Sequence, residues 1–226
     1  MFRKIYRWLF KIFLWFLGVS LFLVIVFKWV PVPFTPLMIS RAIENKFDGK
    51  EAYLNHHWVP LESISPQLQK AVIASEDGYF LTHHGFDFTA MQKAFNNNRK
   101  GRKIKGGSTI SQQTAKNIFL WQGRSYVRKV LEAYFTVLIE CIWGKERIME
   151  VYLNSIEMGD GIYGAEAASQ YWYHKSAKQL TAVEAAGIAA ILPNPRRFKA
   201  INSSSYTSRR KEQIVRVMQF IGKIEY

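Results

Sequence analysis

Two short stretches of the chain concentrate the side chains that could perform chemistry. Residues 75–87, SEDGYFLTHHGFD, place Glu76 and Asp77 beside apolar and aromatic neighbours. A carboxyl group in such surroundings tends to have a raised pKa, which suits a general base or a general acid. Residues 105–117, KGGSTISQQTAKN, gather hydroxyl, amide and amine groups behind two glycines. Taken alone, Glu76 is better explained as a carboxylate at the end of a helix, so the surrounding pattern has to decide.

A phosphate loop is the first alternative for the polar run. Gly101 and Gly106 have the spacing of G-x-x-x-x-G-K-[ST], and Ser108 occupies the hydroxyl position. The lysine position, however, is Gly107, and the preceding FNNNRKGRK does not read as a buried strand. Because the lysine supplies the main charge contact with the phosphates, the sequence argues against nucleotide binding.

A third carboxylate, Glu132, lies in a predicted helix together with several cations. Arg124 and Arg128 precede it by eight and four residues and therefore share its face, and Lys129 lies one turn back. The apolar positions of this helix recur at helical spacing on the opposite side; they are Val127, Val130, Leu131, Tyr134, Val137, Leu138 and Cys141. For an isolated helix, this pattern indicates that Glu132 lies on a solvent-facing row of ion pairs.

Helical periodicity and capping residues predict the elements that position these side chains. Helices are expected at 36–47, 66–80, 86–98, 109–120, 126–143, 145–154, 181–192 and 208–221. Thr35 and Ser65 each precede a proline, which is typical of a helix start. Residues 96–107 form a basic, asparagine-rich loop that is expected to close over a substrate. The sequence contains no alternating strand series, so the fold outside the membrane is predicted to be all-α.

The N-terminus predicts a single membrane-spanning helix. Residues 12–27, IFLWFLGVSLFLVIVF, are uncharged and almost wholly apolar, and with their flanks they reach membrane-spanning length. A cleavable signal peptide and a buried core helix are the alternatives, but no small-residue cleavage site follows the run. The early cations predict a cytoplasmic N-terminus, with the residues from about 31 onward outside; they are Arg3, Lys4, Arg7 and Lys11.

The composition is basic, with 31 Lys and Arg against 17 Asp and Glu and a net charge of +14. Such a surplus favours an anionic partner, which could be a nucleic acid, a phospholipid surface or a phosphorylated substrate. The predicted topology argues against nucleic acid, because the domain would lie outside the cytoplasm. The single cysteine, Cys141, excludes an intrachain disulfide, and no Cys/His cluster has zinc spacing.

Five motifs in a fixed order make the chain resemble a known family. The sequence contains E-D-x-x-F-x-x-H-x-G from Glu76, G-x-S-T-[IL]-[ST]-Q-Q from Gly106, R-K-x-x-E from Arg128 and K-x-x-I-x-E-x-Y-L-N from Lys145. GIYGAEAASQYWY, at 161–173, is the fifth and loosest match. From about residue 35 to its end, the chain resembles the peptidoglycan glycosyltransferases of glycosyltransferase family 51, and among them the monofunctional kind.

The bifunctional relatives, class A penicillin-binding proteins, carry a transpeptidase domain after this one. Ser208 and Lys211 have the Ser-x-x-Lys spacing of such a domain, but no K-T-G follows them. We interpret this pair as a coincidence on the last predicted helix.

The resemblance implies a lysozyme-like, all-α glycosyltransferase domain behind one N-terminal transmembrane helix. The implied organisation is a cytoplasmic tail at 1–11, the transmembrane helix at 12–30, a membrane-proximal segment at 31–60 and the glycosyltransferase domain at 61–226. Helix 36–47 would belong to a lobe that dips into the membrane. The expected location is the inner, cytoplasmic membrane, with the catalytic domain on the extracytoplasmic or periplasmic side.

The resemblance also implies a reaction. The family polymerises lipid II, a disaccharide-pentapeptide on undecaprenyl diphosphate, with inversion to a β-1,4 bond and release of the lipid diphosphate. Glu76 would be the general base, supported by Asp77, and Glu132 would be the second catalytic carboxylate. The cations near the donor diphosphate would be Lys116, Arg124, Arg128 and Lys129. The other residues expected to bind substrate are Phe80, His83, Gly107, Ser108, Thr109, Gln112, Gln113 and Asn117.

The implied partners are lipid II, the growing lipid-linked glycan, the lipid bilayer and other cell-wall synthesis proteins, but not nucleic acid. A divalent cation, Mg²⁺ or Mn²⁺, commonly assists the family, although no sequence feature assigns its ligands. Two alternatives stay open. A lysozyme-like muralytic enzyme would need no set of cations for a diphosphate, and an inactive membrane scaffold would be expected to lack Glu76 or Glu132.

Overall fold

The computed structural model describes residues 2–47, 49, 53–99, 107–123 and 125–226. The α-helices in these residues are α1 (Phe2–Trp29), α2 (Pro36–Phe47), α3 (Pro66–Glu76), α4 (Phe88–Arg99), α5 (Ile110–Phe119), α6 (Tyr126–Ile142), α7 (Lys145–Ser155), α8 (Ala165–Tyr173), α9 (Ala182–Ile191) and α10 (Ser205–Met218). Short 3-10 helices occupy Leu61–Ser63 and Ala177–Gln179. The mostly helical architecture predicted from the sequence is confirmed.

A small three-stranded sheet is the exception to the all-α prediction. Strand β1 (Asn55–His56) pairs in parallel with β3 (Ile162–Tyr163), and β2 (Glu157–Gly159) pairs with β3 in the antiparallel sense. Strands of two or three residues are too short to show alternating hydrophobicity, so they could not be predicted from the sequence. The sheet joins the segment that follows α2 to the turn between α7 and α8.

Local capping explains where the two helices nearest the candidate chemistry begin and end. Thr109 and Gln112 form a capping box at the start of α5, in which each side chain accepts from the other residue's backbone N–H. Helix α3 ends at Glu76, four residues before the predicted end, because Asp77 leaves the helical region. Both helices therefore present their termini to the same loop, residues 77–87.

Helix α9 is the centre of the core and packs against α3 and α10. Its sequence is mostly alanine with isoleucine, and it is buried along nearly its whole length. Small side chains let neighbouring helices approach closely; a Cβ added at Gly187 would lie 2.4 Å from the Tyr173 hydroxyl. Helix α3, which ends at Glu76, is thus held by a tightly packed neighbour.

The C-terminal half of α1 is docked onto the rest of the protein. The buried Ser20 hydroxyl lies 2.7 Å from the Tyr134 hydroxyl on α6. The Trp143 indole N–H donates to the Val24 carbonyl at 2.7 Å. Because these contacts involve buried polar groups, they fix which side of α1 faces α6.

The C-terminal end of α1 is capped by a side chain from another helix. Arg147 of α7 donates through Nη2 to the Phe27 carbonyl at 2.9 Å and to the Val30 carbonyl at 2.7 Å. The last carbonyls of a helix have no partner within that helix, and a cation also suits the negative end of its dipole. Helix α1 is therefore rigidly joined to the domain at its C-terminal end.

Helix α6 is oriented opposite to the sequence-based expectation. Glu132 is only 3% exposed, whereas Val127 and Val130 are 65% and 69% exposed. Phe135 and Ile139 are the residues that face the core. The prediction of a solvent-facing Glu132 is wrong, because this carboxylate points into the protein. Of the predicted apolar stripe, Val127, Val130, Val137 and Cys141 are exposed, whereas Leu131, Tyr134 and Leu138 pack partly buried against the core.

Gly85 is the point of closest contact between the 77–87 loop and α6. It has a φ of +87°, a left-handed conformation that favours glycine. A Cβ at this position would lie 2.8 Å from Thr136 Cγ2 and 3.1 Å from Glu140 Cγ. The loop can therefore sit directly on α6 only because residue 85 has no side chain.

We predict that Gly85→Ala destabilises the protein by about 2 kcal/mol or more, from backbone strain together with overpacking. The loss would appear as a lower thermal unfolding midpoint in detergent, followed by circular dichroism. Gly78→Ala is the matched control, because Gly78 has no positive φ and its Cβ would meet nothing within 4 Å. Equal midpoints for the two variants would contradict the proposed contact.

Candidate active site

Glu76 sits at the end of α3 with both carboxylate oxygens engaged. Gln113 Nε2 donates to Oε2 at 3.2 Å, and Arg210 Nη2 donates to Oε1 at 3.2 Å. Burial raises the pKa of Glu76 above its usual range, Gln113 and then Arg210 oppose that rise, and the neighbouring Asp77 adds to it. The side chain is still 16% exposed, so a substrate group can reach it. A partly exposed carboxylate with a raised pKa is chemically suited to accept a proton from a substrate hydroxyl.

Asp77 ties the loop after α3 to the start of α5. Its Oδ2 accepts from the Ile110 backbone N–H at 2.9 Å, and its carboxylate lies 2.9 Å from His83 Nε2. The Gly85 backbone N–H donates to His83 Nδ1 at 3.1 Å, which places the His83 proton on Nε2. Asp77 and His83, both predicted to bind substrate, are thus occupied with each other and with the backbone.

Three further residues predicted at the site serve the same loop. The Thr109 hydroxyl donates to the Gly85 carbonyl at 2.7 Å. Gln112 Oε1 accepts from the Thr109 backbone N–H at 3.0 Å, which completes the cap of α5. Phe80 is fully buried and supports the loop from beneath. Gln112 and Phe80 thus position the site without lining its cleft, whereas Thr109 also borders the cleft.

A small cleft of about 70 Å³ lies beside Glu76. It is lined by Glu76, Asp77, Gly78, Asp87, Ala90, Gly107, Ser108 and Thr109. Gly107 and Ser108, both expected to bind substrate, are therefore brought next to Glu76. Asp87 was not predicted; it also caps α4 by accepting from the Ala90 backbone N–H at 2.8 Å. Its position before Phe88 is the only sequence signal that it carries, and it is a helix-start signal.

Besides the centre at Glu76, a second centre, made of charged side chains, surrounds Glu132. Its carboxylate accepts from Arg128 Nη1 at 2.6 Å and forms an ion pair with Lys129. Arg128 Nε also donates to the Gly123 carbonyl at 2.8 Å. Buried carboxylates need partners of this kind, because an unpaired buried charge is costly. Arg124, predicted to join this group, lies outside the described residues.

Lys116 completes the second centre from α5. Burial lowers the pKa of Lys116; Glu132 acts against that shift, while Arg128 and Lys129 reinforce it. Three cations share one carboxylate among these four side chains, which leaves an excess positive charge of two. Such an arrangement favours an anion with more than one negative charge. Asn117, the next residue on α5, is buried.

Helix α5 links the two centres. Gln113 contacts Glu76, and Lys116, one turn later, lies in the field of Glu132. Three residues of helix span about 4.5 Å along the axis, so the two groups belong to one rigid element. The Glu76 carboxylate and the cation cluster are therefore held at a fixed separation, an arrangement that could act together on one substrate.

Sequence reasoning missed Arg210. It lies on α10, in the basic stretch SRRK, and nothing in that stretch marks one arginine from another. Only the packing of α10 next to α3 brings its guanidinium to Glu76.

The family model and the relatives found by comparison with known proteins agree with one another. A family model described as Transglycosylase matches residues 43–219. A "Biosynthetic peptidoglycan transglycosylase" of Caulobacter vibrioides is 57% identical over 191 residues, which cover 84% of this chain and 81% of the relative. Proteins of the same name from Pseudomonas syringae pv. syringae and Bacteroides thetaiotaomicron are 50% and 48% identical, over 100% and 98% of this chain and 96% and 89% of their own lengths.

We predict that Asp77→Ala costs about 3 kcal/mol of folding free energy, because it leaves the Ile110 N–H and His83 without their buried partner. Asp160→Ala is the control, since Asp160 is 64% exposed and pairs with Arg196 at the surface; it is expected to cost less than about 1 kcal/mol. Chemical or thermal unfolding in detergent measures both. A cost for Asp77→Ala no greater than that of the control would refute the structural role.

Proposed function

The chain belongs to the transglycosylase family, and we propose that it polymerises the glycan strands of peptidoglycan from lipid II by inverting glycosyl transfer. The 4-hydroxyl of one substrate attacks the anomeric carbon of the lipid-linked chain, the new β-1,4 bond forms, and the lipid diphosphate leaves. This reaction needs a base for the attacking hydroxyl and positive charge for the leaving group.

Glu76 is suited to the base because it is partly buried yet reachable. Its two oxygens are held by Gln113 and Arg210 from opposite parts of the chain. Each carboxylate oxygen keeps a second lone pair that can accept the hydroxyl proton. Ser108 and Gly107 border the same cleft, where a hydroxyl and an unhindered backbone can meet a sugar.

The cations around Glu132 are suited to the leaving group. A diphosphate diester carries two negative charges, which match the excess positive charge of Lys116, Arg128 and Lys129 over Glu132. Glu132 holds Arg128 and Lys129 on one face of α6 and so orients them before the substrate arrives. Its role is to organise this cation cluster, while Glu76 handles the proton.

The observation that carries the proposal is that α5 links the two centres, because its Gln113 contacts Glu76 and its Lys116 lies in the field of Glu132. A muralytic enzyme needs carboxylates around the glycosidic bond but no buried cluster of cations beside them. An inactive scaffold would have no reason to keep Glu76 partly exposed between two hydrogen-bond donors. The named relatives are transglycosylases, which agrees with synthesis rather than cleavage.

A divalent cation is a separate proposal with less support. The described residues contain no group of three His, Cys, Asp or Glu that could hold a metal ion. The Glu132 carboxylate already accepts from two cations. These residues do not form a protein-only metal site, and we therefore assign no step to Mg²⁺ or Mn²⁺. Any such ion would have to find most of its oxygen ligands on the substrate diphosphate or in water.

We also propose that the protein is anchored in the cytoplasmic membrane by α1, with the domain on the extracytoplasmic side. Among the described helices, α1 is the one long and apolar enough to cross a bilayer. The cations near its start favour a cytoplasmic N-terminus. In this location the site would have access to lipid-linked substrate. The protein could also contact other cell-wall synthesis proteins there, including crosslinking enzymes.

The outward face of α6 continues the apolar surface of α1. Val127, Val130, Val137 and Cys141 follow one another at helical spacing on this face, and all are exposed. Tyr134, one turn along the same side, contacts α1 through Ser20. Because α1 is docked along this helix, a membrane that surrounds α1 would also reach α6. The exposed apolar side chains of α6 then face lipid, and the cation cluster lies on the opposite face of the helix.

We predict that Glu76→Gln abolishes polymerisation of lipid II while leaving the thermal unfolding midpoint within a few degrees of wild type. Glutamine keeps the shape of the side chain but cannot accept the proton. Purified protein in detergent with fluorescent lipid II and Mg²⁺ would be assayed by gel, with and without a muramidase. Muramidase-sensitive ladders from wild type alone are expected. No polymer from folded wild-type protein would overturn the proposed function, and shortening of pre-made polymer would favour hydrolysis.

A nitroxide label on Cys141 tests the membrane contact of α6. In proteoliposomes, we expect collisions with oxygen to be frequent and collisions with a water-soluble nickel chelate to be rare, as for a lipid-facing position. The control is Cys141→Ser combined with Ser205→Cys, which moves the label to the exposed start of α10. Equal access of the nickel chelate to both labels would show that α6 faces water.

A further inference from the structure

The last helix delivers a cation to the proposed base. Arg210 on α10 is 134 residues away from Glu76 in the sequence, and its Nη2 lies 3.2 Å from Glu76 Oε1. The two side chains are 26% and 16% exposed, so the ion pair is screened from bulk water on most sides. A charge pair in such surroundings is stronger than one at the surface.

The position of Arg210 is fixed by packing on both sides of it. Thr207, Ile214 and Met218 bury one face of α10. Beyond α10, the Tyr226 hydroxyl donates to Gln69 Oε1 on α3 at 2.7 Å. Helix α10 and the segment after it therefore both contact α3, the helix that ends at Glu76. The backbone at Arg210 cannot move away from Glu76 without disturbing these contacts.

The other charged and titratable groups around Glu76 do not replace this cation. Asp77 is adjacent in sequence, and Asp87 lines the same cleft from the start of α4. From α7, Tyr152 is fully buried and feels the charge of Glu76, and its own pKa is raised by burial, so it stays neutral. From α5 comes the neutral Gln113. Among the described residues that contact the Glu76 carboxylate, Arg210 is thus the one with a positive charge.

We propose that Arg210 is a positioning residue that holds Glu76 ionised and turns its free lone pairs toward the cleft. This inference rests on the proposed function, because it presupposes that Glu76 acts as the base. Burial and two nearby carboxylates would otherwise favour the protonated acid, which cannot accept a proton from the attacking hydroxyl. A base that is only partly ionised would turn over correspondingly slowly at neutral pH.

The first test is the pH dependence of kcat/KM for lipid II polymerisation. The rate rises as Glu76 ionises, so a higher pKa of Glu76 moves the acid limb to higher pH. We expect Arg210→Gln to move this limb upward by about one pH unit and to lower the rate at pH 7 several-fold. Activity should recover at alkaline pH. Arg210→Lys keeps the charge and should restore most of the wild-type profile.

Arg209→Gln is the matched control, since it removes one positive charge from the same helix at an exposed position. Its profile should coincide with that of wild type. If Arg210→Gln gives the control profile, the positioning role is refuted. If it raises KM without moving the acid limb, Arg210 contacts the substrate directly, which also refutes it.

A second test needs no activity and therefore separates this inference from the proposed function. Thermal unfolding midpoints would be measured for wild type, Glu76→Gln, Arg210→Gln and the double variant. If the guanidinium is tied to the Glu76 carboxylate, Arg210→Gln should lower the midpoint in wild type and change it far less in the Glu76→Gln background. Equal shifts in the two backgrounds would show that the two side chains are not coupled, even if Glu76 proves to be the base.

Discussion

The carboxylate of Asp77 is the contact on which the arrangement of the site depends. It joins the end of α3, the 77–87 loop through His83, and the first backbone N–H of α5. Glu76 is the preceding residue, and Gln113 lies one turn into α5. A buried carboxylate cannot give up such partners without a large free-energy cost, so the loop and both helix ends keep one relative position. The helix ends that carry Glu76 and Gln113 are therefore held together by Asp77, in addition to the direct contact between those two side chains.

The orientation of α6 follows from a different constraint. A helix in a water-soluble protein turns its apolar stripe inward, but α6 turns Val127 and Val130 outward and Glu132 inward. The docked α1 accounts for this inversion, because the outward face of α6 then belongs to the same apolar surface. The inward face is free to gather charged groups in a protected space. In the proposed membrane arrangement, lipid on the outward face and the cation cluster on the inward face would suit a substrate with a lipid part and a diphosphate part.

Glu76 shows how opposing effects combine at one side chain. Burial and the neighbouring Asp77 favour the protonated acid, whereas Gln113 and Arg210 favour the carboxylate. The cation cluster shows the reverse case, since burial and neighbouring cations favour neutral Lys116 and Glu132 favours the charged form. At both side chains burial is the largest effect, and the neighbouring groups of opposite influence counteract it. Groups of this kind are typical of catalytic sites.

The sequence by itself determined the local features of this protein. Thr109 and Gln112 mark the start of α5, the apolar residues 12–27 mark the long first helix, and the spaced motifs identify Glu76 and Glu132 as a pair. Each of these depends on residues close together in the chain or on an ordered pattern along it. Only the tertiary structure decided that Glu132 faces inward, that Asp77, His83 and Thr109 hold a loop, and that Arg210 pairs with Glu76. Those outcomes depend on which distant segments pack together, and helical periodicity is the same whether a face meets core, lipid or water.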